Sequence, residues 1–203
     1  MAIKMEEIKK IVNFFFEIAV LKRIPRAGWR NIGIKNPDSV AEHVFLTAQI
    51  AYILGKMEKA SAERAALIAL FHDNGEARIG DANLVTKLYL ETDKAEAKTL
   101  SDQIEGLPEG GEIKKFYEEW KQQKTPEAIV ARDADWLEVA IEAKHYLDLG
   151  NKLAEIWIKH AKNQLKTESA KKLCETIERT SIDEWWKEIP EIKPQVKKVE
   201  EQK

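Results

Sequence analysis

The stretch from Leu67 to Asp81, LIALFHDNGEARIGD, changes from apolar to densely charged at His72-Asp73. Imidazole and carboxylate side chains are ligands that divalent first-row metal ions commonly take in proteins. Neighbouring side chains on a regular helix point about 100° apart, so two consecutive ligands reach one ion best where a helix ends. The glycines that follow, Gly75 and Gly80, are expected to turn the chain back towards the same place. The pattern therefore predicts a metal-binding helix end.

Two further residues of metal-ligand type lie far from this stretch. His43 is in the first turn of a predicted helix, and Asp135 lies in ARDADWLEVAIEA, on a helix whose other face is apolar. Residues two apart point to nearly opposite sides of a helix, so Asp133 and Asp135 cannot both face one ion. Each residue also has an ordinary structural explanation, as a packing histidine, a helix stop or a solvated carboxylate. The spacing alone leaves open whether these side chains converge.

The elements that must position these residues are helices. Helical periodicity dominates the chain and strand alternation is not convincing. The fold is predicted to be all-α, a bundle of roughly eight helices within residues 6–24, 39–57, 61–72, 92–105, 111–123, 125–150, 152–165, 169–179 and 181–186. Residues 24–37 contain two prolines and two glycines and are predicted to form a loop.

Three helix starts are marked by local residue patterns. Ser39 and Glu42 have the spacing of a capping box, and so do Ser181 and Glu184. Pro126 stands at the first position of a helix that begins after a threonine. The first of these starts places His43 one turn into its helix.

Composition limits the class of protein. The chain has 203 residues, a formal net charge of -2 and one cysteine, Cys174. This excludes an intrachain disulfide framework and gives no strong field that would attract a nucleic acid polymer or an anionic membrane. We expect one domain over residues 1–190, a flexible charged tail over 191–203, no signal peptide, no membrane span and a cytoplasmic location.

The separate motifs together resemble a known family. H…HD…D, formed by His43, His72-Asp73 and Asp135, is similar to the signature of HD-domain metal-dependent phosphohydrolases, an all-α superfamily. The segments RIPRAGWRNIGIKNPDSVAEH, FHDNGEARIGD and DADWLE resemble its 5'-deoxynucleotidase subgroup, and AKNQLKTESAKKLCETIERTSIDEWW resembles the C-terminal part of archaeal and eukaryotic members. The resemblance covers about residues 10–187.

The resemblance implies a metal centre and a reaction. One divalent cation (manganese, cobalt, magnesium, zinc or nickel) would be bound by His43, His72, Asp73 and Asp135, with Asp133 as the alternative to Asp135. The reaction would be hydrolysis of a (deoxy)nucleoside 5'-monophosphate to nucleoside and phosphate. Such an ion lowers the pKa of water that it binds and neutralises charge on phosphate oxygens. Family members are typically homodimers, so we expect a homodimer.

The resemblance also implies roles for four other residues. Glu76 and Asp81 match the catalytic carboxylates, although which one donates and which accepts a proton stays open. Arg26 and Trp29 match an arginine and a tryptophan that bind substrate. In some members those two residues are adjacent, whereas here two residues intervene, so Trp29 could equally be a loop anchor packed on the core. A guanidinium offers phosphate a planar fork of donors.

Other readings stay open. An HD protein could act on triphosphates, cyclic nucleotides or alarmones, or could be a non-catalytic metal-containing regulatory module. A triphosphatase should bring more basic residues to its pocket than Arg26, Arg30, Lys35 and Arg78. The remaining tryptophans are interpreted as core or interface residues: Trp120, Trp136, Trp157, Trp185 and Trp186.

Overall fold

The computed structural model describes residues 4–193 and 196. These residues form eleven α-helices: α1 (Met5–Ile18), α2 (Val40–Met57), α3 (Ala62–Phe71), α4 (Glu76–Ile79), α5 (Leu84–Tyr89), α6 (Thr92–Ile104), α7 (Gly110–Gln122), α8 (Pro126–Asp148), α9 (Glu155–Gln164), α10 (Glu168–Arg179) and α11 (Glu184–Lys187). Short 3-10 helices cover Ala19–Arg23, Ala27–Ile32 and Lys152–Ala154. The all-α prediction is confirmed.

The helix count of eleven exceeds the prediction of roughly eight, and α4 and α5 are the two helices that lie in none of the predicted ranges. They have four and six residues, too few for a hydrophobic period to show in the sequence. Most of the predicted tail over 191–203 lies outside the described residues, so its flexibility stays a prediction. Over the described residues, no helix combines the length and the apolar character needed to cross a membrane.

Helix α8 lies at the centre of the bundle, in contact with α2, α3, α7, α9 and α10. Small side chains let its backbone approach these neighbours closely, and five of its alanines are fully buried: Ala128, Ala131, Ala134, Ala140 and Ala143. Leucine, isoleucine and aromatic side chains of α2, α3 and α7 fill the rest of this core. The centre of the bundle is therefore rigid, and α8 can hold a charged side chain in a defined place.

The helix starts agree with two of the three sequence patterns. The Ser39 amide donates to Glu42 Oε2 at 2.6 Å, and the Glu42 amide donates to Ser39 Oγ at 3.3 Å, which completes the capping box of α2. The Thr125 side chain caps α8. The capping box expected from Ser181 is wrong, because its hydroxyl donates to Asp183 instead and α11 begins only after Asp183.

The predicted loop over 24–37 is more ordered than expected. The Arg26 amide donates to the Asp38 carbonyl at 2.9 Å, and the Val40 amide donates to the Ile24 carbonyl at 2.8 Å. Between these bonds the chain forms the 3-10 helix Ala27–Ile32. The loop is therefore fixed beside the first turn of α2.

Candidate active site

Three helices bring their metal-ligand side chains to one point. His43 on α2, His72 at the end of α3 and Asp135 on α8 each offer one ligand atom, and these atoms all lie within 4.8 Å of one another. His43 Nε2 lies 3.2 Å from Asp135 Oδ1. Asp73 Oδ2 lies 3.0 Å from His72 Nε2 and 3.7 Å from His43 Nε2. The four side chains of the H…HD…D pattern are thus neighbours.

The hydrogen bonds of both imidazoles suit a metal ion. His43 Nδ1 lies 2.5 Å from Glu138 Oε2, and His72 Nδ1 lies 2.6 Å from the Ala69 carbonyl oxygen. Because both partners are hydrogen-bond acceptors, Nδ1 of each ring carries the proton and Nε2 keeps its lone pair. His43 Nε2 is buried and makes no hydrogen bond. A buried nitrogen without a hydrogen bond, facing carboxylate oxygens, fits a divalent cation.

The two aspartates of DADWLE have different surroundings. Asp133 is fully buried, and its two carboxylate oxygens accept the backbone amides of Lys166 at 2.9 Å and Thr167 at 2.7 Å. Asp133 therefore holds the start of α10. Asp135 faces His43 instead. This geometry supports Asp135, and not Asp133, as the ligand.

Glu76 is the first residue of α4 and borders the same cavity as Asp73 and Asp81. Its side chain is buried, and Oε2 makes no hydrogen bond. Burial raises the pKa of Glu76 well above its ordinary value, and the negative charges of Asp73 and Asp81 raise it further. These surroundings favour the protonated form of the carboxyl group, which is the form that can donate a proton.

Asp81 and Arg26 connect the turn after α4 to the ordered loop. Arg26 Nη1 lies 3.6 Å from Asp73 Oδ2 and 3.6 Å from Asp81 Oδ1. The backbone amide of Ala27 donates to Asp81 Oδ2 at 2.5 Å. Burial alone would lower the pKa of Arg26, but the two carboxylates outweigh burial and raise it. The guanidinium therefore stays charged at the cavity, where it suits a phosphate group.

The two glycines of the turn serve different purposes. Gly80 has a φ of +77°, a conformation that favours glycine, and it turns the chain as predicted. Gly75 has a helical φ of -58°. A Cβ atom there would lie 2.8 Å from the Glu96 carbonyl oxygen and 2.8 Å from Thr99 Oγ1. Gly75 lies, as expected, in the turn over residues 72–75 between α3 and α4, but glycine is required there because it allows α6 to approach closely.

Asn74 and Arg78, to which the sequence assigned no role, make structural contacts. The backbone carbonyl of Asn74 accepts a hydrogen bond from Gln103 Nε2 at 2.9 Å. Arg78 donates through Nε and Nη2 to the two carboxylate oxygens of Glu17 on α1. Both contacts hold the turn that carries Glu76.

Trp29 borders the cavity, but its ring is only 4% exposed. It packs edge-on against Tyr146 and Trp157, with ring centroids 5.3 Å and 5.4 Å away. This is the position of a loop anchor. That Trp29 contacts substrate stays a prediction.

The cavity beside the ligand cluster encloses about 880 Å³ of empty space, including its open mouth. Sequence reasoning missed three of its basic residues: Lys87, Lys121 and Arg132. Arg132 Nη1 lies 3.6 Å from Asp135 Oδ2. Side chains three residues apart on one helix lie on the same face. The sequence spacing between Arg132 and Asp135 could therefore have placed Arg132 beside the metal-ligand cluster. Nothing local in the sequence marks the two lysines.

Comparisons with known proteins identify the family of the chain. A family model described as HD domain matches residues 18–178. The chain is 31% identical over 145 residues to the zebrafish (Danio rerio) protein named 5'-deoxynucleotidase HDDC2, covering 70% of this chain and 72% of that protein. It is 29% identical over 147 residues to the human (Homo sapiens) protein of the same name, covering 71% and 72%.

Solved structures share the fold. A conserved hypothetical protein from Pyrococcus furiosus superposes with a TM-score of 0.71 at 31% identity, over 83% of this chain and 99% of that chain. A cyanophage S-2L HD phosphohydrolase (DatZ), bound to dA and one catalytic Zn²⁺ ion, has a TM-score of 0.53 at 20% identity, over 81% of this chain and 96% of that chain. Since the family model spans most of the sequence and the H…HD…D residues meet at one point, the chain belongs to the HD-domain family.

Proposed function

We propose that this chain is a metal-dependent 5'-deoxynucleotidase that hydrolyses deoxynucleoside 5'-monophosphates to nucleosides and phosphate. The observation that carries the proposal is the convergence of His43, His72 and Asp135 at a cavity that also holds a charged arginine. The names of the relatives support the substrate class.

The proposed metal ligands are His43, His72, Asp73 and Asp135. A divalent cation held there would supply a Lewis acid and would lower the pKa of water that it binds. Which of manganese, cobalt, magnesium, zinc or nickel the protein uses is a question for experiment, because imidazole and carboxylate ligands accept several of them.

The remaining polar residues would bind phosphate and move protons. Arg26 would hold two phosphate oxygens through its guanidinium fork. Glu76, whose burial favours the protonated form, would donate a proton to the 5'-oxygen that leaves. Asp81, already placed by the Ala27 amide, would orient the attacking water.

The test is phosphate release from deoxy- and ribonucleoside 5'-monophosphates. The protein is stripped of metal and then refilled with one of the five ions at a time. Metal-dependent release with a preference for deoxynucleotides is the expected result. If no ion restores release from any monophosphate, the proposal is wrong. Cyclic nucleotides and alarmones are then the next substrates to test, followed by the hypothesis of a non-catalytic module.

A second candidate substrate is a deoxynucleoside triphosphate. Of the four basic residues considered from the sequence, Arg26 lines the cavity but the other three do not, since Arg78 pairs with Glu17 and Arg30 and Lys35 are exposed. Lys87, Lys121 and Arg132 line it instead, although Lys121 also pairs with Asp93 at 2.7 Å. Product analysis distinguishes a monophosphatase from a triphosphatase, because a triphosphatase releases tripolyphosphate or pyrophosphate in place of phosphate.

We also propose, from the family resemblance, that the chain is a cytoplasmic homodimer. Helix α1 carries an exposed apolar face that would supply contact surface, formed by Met5, Ile8, Val12, Phe15 and Phe16. Light scattering after size exclusion should give twice the chain mass of 23.3 kDa. A monomer at that step, or a tagged protein found outside the cytoplasm, would contradict this part of the proposal.

A further inference from the structure

Four of the six tryptophans of the chain border the cavity: Trp29, Trp120, Trp136 and Trp157. The sequence interpretation placed the last three in the core or at an interface. Phosphate is bound by cations and hydrogen-bond donors, so phosphate binding does not explain the aromatic surface of this cavity. The position of each ring therefore decides what else the cavity can bind.

Two of these rings already have their contacts filled by protein. Trp29 is buried against Tyr146 and Trp157. Trp120 is also buried, with the His72 ring 4.4 Å away and the Arg132 guanidinium 3.6 Å from its centroid. Protein contacts therefore cover most of the surface of both indoles.

Trp136 and Trp157 are different, because both are only partly buried and both line the cavity. Trp136 directly follows Asp135 on α8, and its ring is supported edge-on by His160 at 5.2 Å. Trp157 comes from α9 and is supported by Trp29 at 5.4 Å. Each ring thus rests on a second ring and keeps part of its surface at the cavity.

The backbone of the ordered loop also presses against Trp157. A Cβ atom at Gly28 would lie 3.2 Å from Cη2 of the Trp157 indole. Val139, one turn beyond Asp135 on α8, also lines the cavity. We call the apolar lining residues Gly28, Trp136, Val139 and Trp157 the aromatic wall, and the metal-ligand residues with Arg26 the polar side.

We propose that Trp136 and Trp157 bind the nucleobase of the substrate and so make this enzyme select phosphate esters that carry a base. The inference rests on the proposed nucleotidase function and adds its recognition site. When the phosphate lies at the polar side, the deoxyribose and the base remain to contact the aromatic wall, and the base is the part with a flat π-face that stacks on an indole. Every base has a π-face, so indole stacking is strong and tolerant of base identity.

The kinetic test compares two substrates that differ only in the base. These are dAMP and 2-deoxyribose 5-phosphate, assayed with wild type, Trp136→Ala, Trp157→Ala and the conservative variants Trp136→Phe and Trp157→Phe. We expect each alanine variant to raise KM for dAMP by at least about fivefold while kcat stays within about twofold. For 2-deoxyribose 5-phosphate, kcat/KM should stay within about twofold of wild type. The phenylalanine variants should recover most of the dAMP affinity.

Trp185→Ala is the matched control, because this indole is 75% exposed and does not line the cavity. It should leave both substrates unaffected. An equal loss for both substrates in the Trp136 and Trp157 variants, or no loss for dAMP, would overturn the proposal. Thermal melting of each variant shows whether it is folded, and Trp136→Leu and Trp157→Leu, which keep apolar volume but have no ring to stack on a base, carry the comparison if an alanine variant is not folded.

A binding measurement separates this inference from the proposed function. Deoxyadenosine, which has no phosphate, is titrated calorimetrically into the metal-free protein. Binding that is weakened at least about fivefold in Trp136→Ala and Trp157→Ala, but not in Trp185→Ala, supports the aromatic wall even if the wild type hydrolyses nothing. If wild-type protein hydrolyses dAMP but binds no deoxynucleoside and treats both phosphate esters alike, the nucleotidase stands and the aromatic wall does not.

Discussion

His43 Nδ1 and Glu138 Oε2 lie 2.5 Å apart, although 95 residues separate them in the chain. Both side chains are buried, and the contact joins α2 to α8. It keeps the Nε2 lone pair of His43 directed at Asp135. The other histidine, His72, has a neutral backbone carbonyl in the corresponding place. The two imidazoles therefore differ at Nδ1, where His43 has a carboxylate partner and His72 has a neutral carbonyl.

Replacing Glu138 should affect metal binding more than it affects folding. Loss of a carboxylate that orients a metal-binding histidine typically costs about 10- to 100-fold in metal affinity. We expect Glu138→Ala to show a loss in this range for Mn²⁺ by calorimetry, and Glu138→Gln, whose amide oxygen can still accept from Nδ1, to show a smaller loss. Glu142→Gln is the control, one turn further along α8. Unchanged affinity in Glu138→Ala would contradict this role.

The two aspartates of DADWLE should separate function from stability. Asp135→Ala should abolish stoichiometric metal binding and phosphate release together while leaving the fold intact. Asp133→Ala should keep the metal but lower the free energy of unfolding by about 1–3 kcal/mol, because two backbone amides lose their acceptor. Metal analysis and urea unfolding of both variants check this. Metal retained in Asp135→Ala would transfer the ligand role to another residue.

Gly75 should not tolerate a side chain. Because a Cβ atom would come 2.8 Å from the Glu96 carbonyl oxygen on α6, Gly75→Ala should destabilise the protein by about 1–3 kcal/mol. Gly111→Ala is the matched control in α7, where nothing lies within 4 Å, and it should be neutral or stabilising by up to about 1 kcal/mol. Equal unfolding midpoints of the two variants in urea would show that α6 has room to move.

Asp38 gives the stability of the protein a pH dependence. Both of its carboxylate oxygens are buried without a hydrogen bond. Burial and, to a smaller extent, the charges of Glu138 and Glu142 raise the pKa of Asp38 to about 7, against the opposite effect of Arg26 and His43. The unfolded chain releases this proton near pH 4. Folding therefore becomes less favourable as pH rises from about 4 to about 7, and the penalty stays constant above that range.

The variant Asp38→Asn cannot ionise and should escape this penalty. The Tm of Asp38→Asn should be close to that of wild type at pH 4.5, should exceed it by a margin that grows up to about pH 7, and should keep that margin at pH 8, as measured by calorimetry. Asp102→Asn is the control, since Lys98 lowers the pKa of that exposed carboxylate and no such growing gain is expected. A constant Tm difference for Asp38→Asn between pH 4.5 and pH 8 would refute the account.

Local patterns in the sequence determined the helical fold and the chemical types at the site. Apolar spacing gave the long helices, the Ser39 and Glu42 pair gave the start of α2, and the break after Phe71 gave the helix end that holds His72. These features depend on residues within one or two turns of each other, and such interactions act before any tertiary contact forms.

Only the tertiary structure decided which distant side chains meet. It paired Glu138 with His43, used Asp133 to hold α10, brought Lys87 to the cavity and left part of the Trp136 ring at its edge. Periodicity tells which face of a helix is apolar but not which neighbour that face will contact. That choice follows from the packing of the whole core around α8, a property that no single segment of the chain contains.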